Sequence, residues 1–122
     1  MTAYKKGDVV LVPFPFSDQT STKKRPAIIV SSNLYNNASS DIVIMAITSR
    51  MDKTIGIGEC LITDWQVAGL LKPSAIKPAI STIEQKLVLK KLGRLSSKDS
   101  EAMERALKEL LNQKEKGCIC SG

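Results

Sequence analysis

Apolar residues in the first two thirds of the chain fall in short, β-branched runs separated by polar, glycine or proline breaks, whereas the last third carries apolar positions at helical spacing. Val9, Val10, Leu11 and Val12 form the first run, entered through Gly7 and Asp8 and closed by Pro13-Phe14-Pro15-Phe16. Those prolines cannot donate to a ladder and hold their neighbours extended, so the strand ends there. The wholly polar residues 17–22 read as a loop. Pro26 then marks the start of a second strand over residues 27–31, since proline is best tolerated at a strand's first position. Residues 33–40, rich in Asn and Ser, read as a connection. Residues 42–47 are apolar throughout, the pattern of a central strand.

Residues 55–62 predict a fourth strand whose Gly56 and Gly58 suit a sharp bend, and residues 63–73 predict a single short helical turn with Trp65 as a packing anchor. A fifth strand is predicted over residues 77–84 and a short sixth around Gly93. Ser96 and Asp99 have the spacing of a capping box, and Met103, Ala106, Leu107, Leu110 and Leu111 then recur on one helical stripe. Beyond residue 113 the periodicity stops. The sum is a mainly β (α+β) fold, a small antiparallel β-barrel with a C-terminal α-helix packed on it. It is read as one domain over residues 1–113 with a frayed tail at 114–122.

With 122 residues the chain can bury one core but not two. No apolar run approaches the ~18 residues of a membrane span, and no apolar leader opens the sequence, so a cytoplasmic protein without a membrane partner is expected. Cys60, Cys118 and Cys120 lack disulfide-framework spacing, as suits a reducing compartment. Cys118 and Cys120 have no second ligand pair, so neither a metal site nor a cofactor is predicted. The chain contains no histidine. That removes Ser-His-Asp and Cys-His catalysis and the paired-histidine acid and base of many ribonucleases. Any chemistry must run on carboxylates, hydroxyls, lysine and arginine. The net charge of +6 favours a polyanionic partner, and the excess lies in the body of the chain, with residues 96–122 neutral.

Lys23, Lys24 and Arg25 stand together directly before the apolar run Ala27-Ile28-Ile29-Val30. Two readings fit such a cluster. It can be a solvated gatekeeper that keeps a sticky strand from aggregating, or a charged group that a rigid strand positions for a ligand.

Five segments occur in a specific order: Gly7-Asp8-Val9-Val10-Leu11-Val12, Arg25-Pro26-Ala27-Ile28-Ile29-Val30, Ala46-Ile47-Thr48, Ser81-Thr82-Ile83-Glu84 and Leu92-Gly93-Arg94-Leu95-Ser96. In that order they resemble the MazF/PemK family of toxins from bacterial toxin-antitoxin systems, over residues 6–111. The resemblance implies a homodimer of SH3-like barrels, metal-independent cleavage of single-stranded RNA (an mRNA interferase), and inhibition by a cognate antitoxin with a disordered acidic tail. DNA would be met only indirectly, through the antitoxin. It also implies Arg25 and Thr48 as catalytic residues. The chain departs from the family where one subgroup carries an Arg-x-Asp pair and this sequence reads Ile76-Lys77-Pro78, and where Ser81 replaces the Arg or Lys of many relatives.

In such a ribonuclease the RNA's own 2′-hydroxyl attacks the adjacent phosphorus, leaving a 2′,3′-cyclic phosphate and a 5′-hydroxyl. The enzyme must position that hydroxyl, take its proton, protonate the departing 5′-oxygen and neutralise the phosphorane. Arg25 suits the last task, because its planar fork donates two parallel bonds to phosphate oxygens. Thr48 can orient the phosphate but is no strong base. Asp18 and Glu84 are the candidate proton acceptors, and Lys23, Lys24, Ser49, Arg50 and Lys77 are candidate RNA contacts. Phe14, Phe16 and Tyr35 are candidates for base stacking. Two other classes stay open: a non-catalytic barrel toxin acting on a protein such as DNA gyrase, and a nucleic-acid-binding barrel.

Overall fold

The computed structural model describes residues 4–14, 23–50 and 56–111, without the side chain of Phe14. Asp18, Phe16, most of the polar loop, and the tail with its two cysteines lie outside the described residues. The elements are β1 (Asp8–Phe14), β2 (Lys23–Ile29), α1 (Asn33–Ala38), β3 (Asp41–Thr48), β4 (Cys60–Ile62), β5 (Ser74–Glu84), a 3₁₀ turn (Gln85–Leu87), β6 (Lys90–Arg94) and α2 (Ser97–Leu111).

All six strands join one antiparallel sheet in the order β4-β5-β3-β2-β1-β6, curled into a half-barrel with α2 packed on it. Both faces of the central strands are buried. Val9, Ile28, Met45, Ile47, Ile62, Ile76 and others form the core beneath Met103 and Ala106 of α2. Val10, Val12, Ala27, Ile29, Ile42, Ile44 and Ile83 close the opposite face. This two-sided burial is why β3 reads as continuously apolar, and each fully buried Val or Ile contributes about 1.5–3 kcal/mol to the fold.

Several sequence expectations change. β2 begins at Lys23, so Lys23, Lys24 and Arg25 belong to a strand rather than to a loop, and Pro26 lies inside it. Pro26 is tolerated because it is opposite Leu11 of β1 while pairing with β3 starts only at Ala27, so no donor is needed on that side. Residues 33–38, read as a connection, form the short helix α1. Ser32 caps it, its hydroxyl accepting the Tyr35 N–H at 3.1 Å. The predicted fourth strand shrinks to Cys60–Ile62. Gly58, at φ +82°, serves a turn before that strand rather than a bend within it. Residues 63–69 form successive hydrogen-bonded turns that include the expected single helical turn, in which Ala68 N–H donates to Asp64 O four residues back, followed by Leu70 N–H donating to Trp65 O. The capping box is half realised. Ser96 accepts the Asp99 N–H, but the Asp99 carboxylate turns away to another segment. In the α2 stripe, Leu111 is exposed rather than buried.

Candidate active site

β2 and β3 pair only where Ala27, Ile28 and Ile29 face Ala46, Met45 and Ile44. Beyond Ala27, β2 continues as a ribbon with β1, whereas β3 stays with β5 as far as Thr48 opposite Ala75. The two strands part, and a cavity of about 750 Å³ opens at that place. Arg25 and Pro26 of β2 line it, as do Ile47 and Thr48 of β3. Neighbouring residues on a strand point to opposite faces, so a cavity that touches both parities of two strands lies between them. Arg25 and Thr48 thus line the same opening from its two sides. The Thr48 hydroxyl oxygen accepts the Arg50 N–H at 3.1 Å. That bond orients the oxygen and leaves its hydrogen to donate elsewhere.

The other wall comes from the turns at 63–73 and from β6, through Gly69, Leu70, Leu71, Lys72, Lys90 and Leu92. Two contacts fix it. Asp99, buried in the first turn of α2, accepts the Thr63 N–H (3.1 Å), the Thr63 hydroxyl (2.8 Å) and the Asp64 N–H (2.8 Å). Burial alone would raise the Asp99 pKa, but the Asp64 N–H, the two Thr63 donors and the Ser96 hydroxyl outweigh it and hold the carboxyl below its usual range. Farther along, Gly69 has φ +82° and lies so near β6 that a Cβ on it would come within 2.0 Å of the Leu92 carbonyl oxygen. β6 presents that carbonyl at a bulge, because Val9 and Val10 are opposite Gly93 and Lys91, leaving Leu92 as the extra residue.

At the start of β1 the fully buried Asp8 carboxylate receives Arg94 at 2.7 Å and Lys91 at 3.4 Å, and the Lys5 N–H donates to its other oxygen. This ties β1 to β6. The sequence motif Gly7-Asp8 is thus a structural clamp. Cys60 is buried, and burial, then the Asp99 carboxylate, push its thiol pKa up while Arg105 pulls it down. A thiol in that setting is no nucleophile.

Of the residues singled out from sequence, Arg25, Thr48 and Ser49 meet at the cleft. Lys23 and Lys24 are exposed on the neighbouring ribbon, Arg50 is exposed just past Thr48, and Lys77 is exposed on β5; none of these four lines the cavity. Glu84 is opposite Asp41, at the end of β3 away from Thr48 and on the order of 20 Å off along the strand. It pairs with Lys86 at 3.8 Å. Tyr35 belongs to α1, which joins that same distant end through the Ser39 hydroxyl accepting the Asp41 N–H. Sequence reasoning passed over Lys72 and Lys90. The signal for them was the charge count, since residues 61–95 hold six basic side chains against Asp64 and Glu84. Among the described residues no group of three or more Cys, Asp or Glu side chains is placed to hold a metal, and no helix is long and apolar enough to cross a membrane.

Fold comparison finds the same architecture in solved toxins. An endoribonuclease in complex with its cognate antitoxin from a mycobacterial species superposes with a TM-score of 0.74 at 18% identity, covering 92% of this chain and 98% of that one. The Mycobacterium tuberculosis toxin MazF-mt6 gives 0.67 at 17% identity, with 84% and 93% covered. MazF from Deinococcus radiodurans gives 0.69 at 16% identity, with 91% and 98% covered. No match was found among curated proteins. Identities this low speak for the fold alone. The sequence itself, however, matches over residues 5–111, and by that match the chain belongs to the PemK-like, MazF-like toxins of type II toxin-antitoxin systems.

Proposed function

We propose that this protein is a toxin endoribonuclease that cuts single-stranded RNA without a metal, using the 2′-hydroxyl next to the scissile phosphate as nucleophile. The meeting of Arg25 and Thr48 in one cleft, with no carboxylate among its described lining residues, supports this most directly. The site is electropositive and carries an oriented hydroxyl on Thr48 with its hydrogen free to donate, which matches a phosphate gaining negative charge. Arg25 donates its two-pronged fork to the non-bridging oxygens and strengthens as the phosphorane forms. Thr48, its oxygen already engaged by the Arg50 N–H, donates its hydrogen to a phosphate oxygen. Ser49, adjoining it in the cleft, assists in holding the strand. Proton removal falls to a residue outside the described lining, for which Asp18 is the sequence candidate. As the bond from the 2′-oxygen to phosphorus forms, the bond to the 5′-oxygen breaks and that oxygen takes a proton from water, so the products are a 2′,3′-cyclic phosphate and a 5′-hydroxyl.

We further propose that the chain works in the cytoplasm as a homodimer held in check by an antitoxin protein. Exposed Leu34, Ile57, Val67 and Leu71 offer apolar surface for protein contacts. Solved relatives are complexes of MazF with MazE or of an endoribonuclease with its antitoxin.

Purified protein should cut a long mixed-sequence RNA in the presence of a chelator, and a 2′-deoxy substitution at the cut position should stop cleavage there. Activity that vanished with chelator, or that cut the deoxy-substituted strand equally well, would rule the mechanism out. Intact RNA beside inhibition of a protein target such as gyrase would replace the enzyme with a non-catalytic toxin.

A further inference from the structure

We propose that Lys72 and Lys90 grip the phosphates on either side of the scissile one, so that single-stranded RNA crosses β5, β3, β2, β1 and β6 in turn. The central position rests on the endoribonuclease reading above; the two flanking positions follow from the sheet. Lys72 comes just before β5, Thr48 ends β3, Arg25 is on β2, and Lys90 opens β6 opposite Leu11, which itself is opposite Pro26. In the sheet order Arg25 falls between the two lysines: Lys90 is two paired strands away through β1, on the order of 10 Å, and Lys72 lies across the opening between β2 and β3, just before β5.

Charge and polarity both point to more than one phosphate. A phosphodiester carries a single negative charge and its phosphorane one more, whereas Arg25, Lys72, Lys90 and Lys91 all line a cleft with no carboxylate among its described lining residues, and of these lysines Lys91 alone is paired, with Asp8. Neither Lys72 nor Lys90 has an acidic partner among the described residues, unlike Lys6, Lys86, Lys91 and Arg94. The contrast with Lys91 is instructive. One residue along β6 it is opposite Val10, and its ammonium is committed to buried Asp8, so of two consecutive lysines only Lys90 faces the cleft unpaired. Between the cations the lining is apolar, through Leu11, Leu70 and Leu92. Charges separated by apolar floor suit a strand whose phosphates alternate with base faces.

The test is equilibrium binding of a short, mixed-sequence 2′-O-methyl RNA, which cannot be cleaved, across a salt series. Each phosphate contact on a single strand contributes about 0.7 to the slope of log K against log salt. Lys72→Gln and Lys90→Gln should each flatten the slope by about 0.7, and the double variant by about 1.4. Replacing both by Arg should restore it. A charge-matched control, Lys86→Gln with Lys108→Gln, should leave the slope at the wild-type value, and unchanged melting would confirm that the variants are folded. The proposal fails if the double variant keeps the wild-type slope, or if the control flattens it equally. Polyglutamate binding with the same dependence on the two lysines would overturn it in favour of an acidic polypeptide. Because binding is read without cleavage, a slope change in the variants beside a wild-type protein that leaves RNA intact would sink the endoribonuclease reading and keep the flanking contacts.

Discussion

The two walls of the cleft are made in different ways. The Arg25/Thr48 wall consists of strands whose backbone is placed by sheet register, with pairing partners on β1 and β5. The opposite wall is a run of turns without a ladder laid against the edge strand β6, fixed where Asp99 of α2 accepts three hydrogen bonds and where Gly69 presses on the Leu92 carbonyl. A register position tolerates side-chain changes, because the backbone stays put when the side chain is exchanged. A wall fixed by single contacts does not. The difference teaches that function and stability should separate: the strand wall carries the chemistry, and the turn wall carries the shape.

Arg25→Ala should give the largest effect, and only on activity. Losing one preorganised donor to a developing charge costs about 2.7 to 4 kcal/mol of barrier, a rate drop on the order of 100 to 1000 fold. Melting should stay at the wild-type temperature, since Arg25 is exposed on the ribbon. Arg25→Lys should recover only part of the rate, because a point charge lacks the paired donors. A variant that lost both rate and melting temperature would erase the distinction between the walls.

Gly69→Ala should show the reverse pattern. Positive φ alone costs an alanine about 1 to 2 kcal/mol. The added methyl also meets a backbone oxygen that cannot rotate away. A total of about 3 kcal/mol is expected, lowering the melting temperature by roughly 10 to 20 °C. Cleavage measured below that transition should survive better than in Arg25→Ala. If calorimetry found Gly69→Ala as stable as wild type, the close approach to Leu92 would be wrong.

The same division governed what could be read from the sequence. Strand runs announced themselves through β-branched residues and proline stops, so β1, β3 and the order of the strands were visible, as was the stripe Met103, Ala106, Leu107 of α2. The Arg25 and Thr48 pair was visible too, through resemblance. Harder were features set by partners distant in sequence. Pro26 reads as a strand start until one knows that β3 leaves its side vacant. Asp99 reads as half of a capping box, and only the approach of Thr63, 36 residues away, reveals its other task. Gly69 reads as the end of a short turn and Gly93 as the middle of a short strand, yet each marks the same backbone crossing. Glu84 looked available as a base because nothing local ties it to the Asp41 end of the sheet.

Asp99→Asn should produce the smallest of these effects and the one that depends on pH. An amide keeps one acceptor oxygen but sets an NH₂ group against donors that now lack a partner. The cost near neutrality should be about 1.5 to 3 kcal/mol, as for hydrogen bonds to a charged group. The sign follows from the direction of the shift: the folded-state pKa lies below the unfolded value, which is about 3.9 for an aspartate. The carboxylate's contribution is therefore fully present above pH ~4 and is lost as the pH falls from there through the folded pKa. Denaturant midpoints of wild type and Asp99→Asn should thus be well separated at neutral pH and converge as the solution is acidified below about pH 4. A separation that persisted unchanged into that range would mean that Asp99 holds the turn wall by packing rather than by its charge.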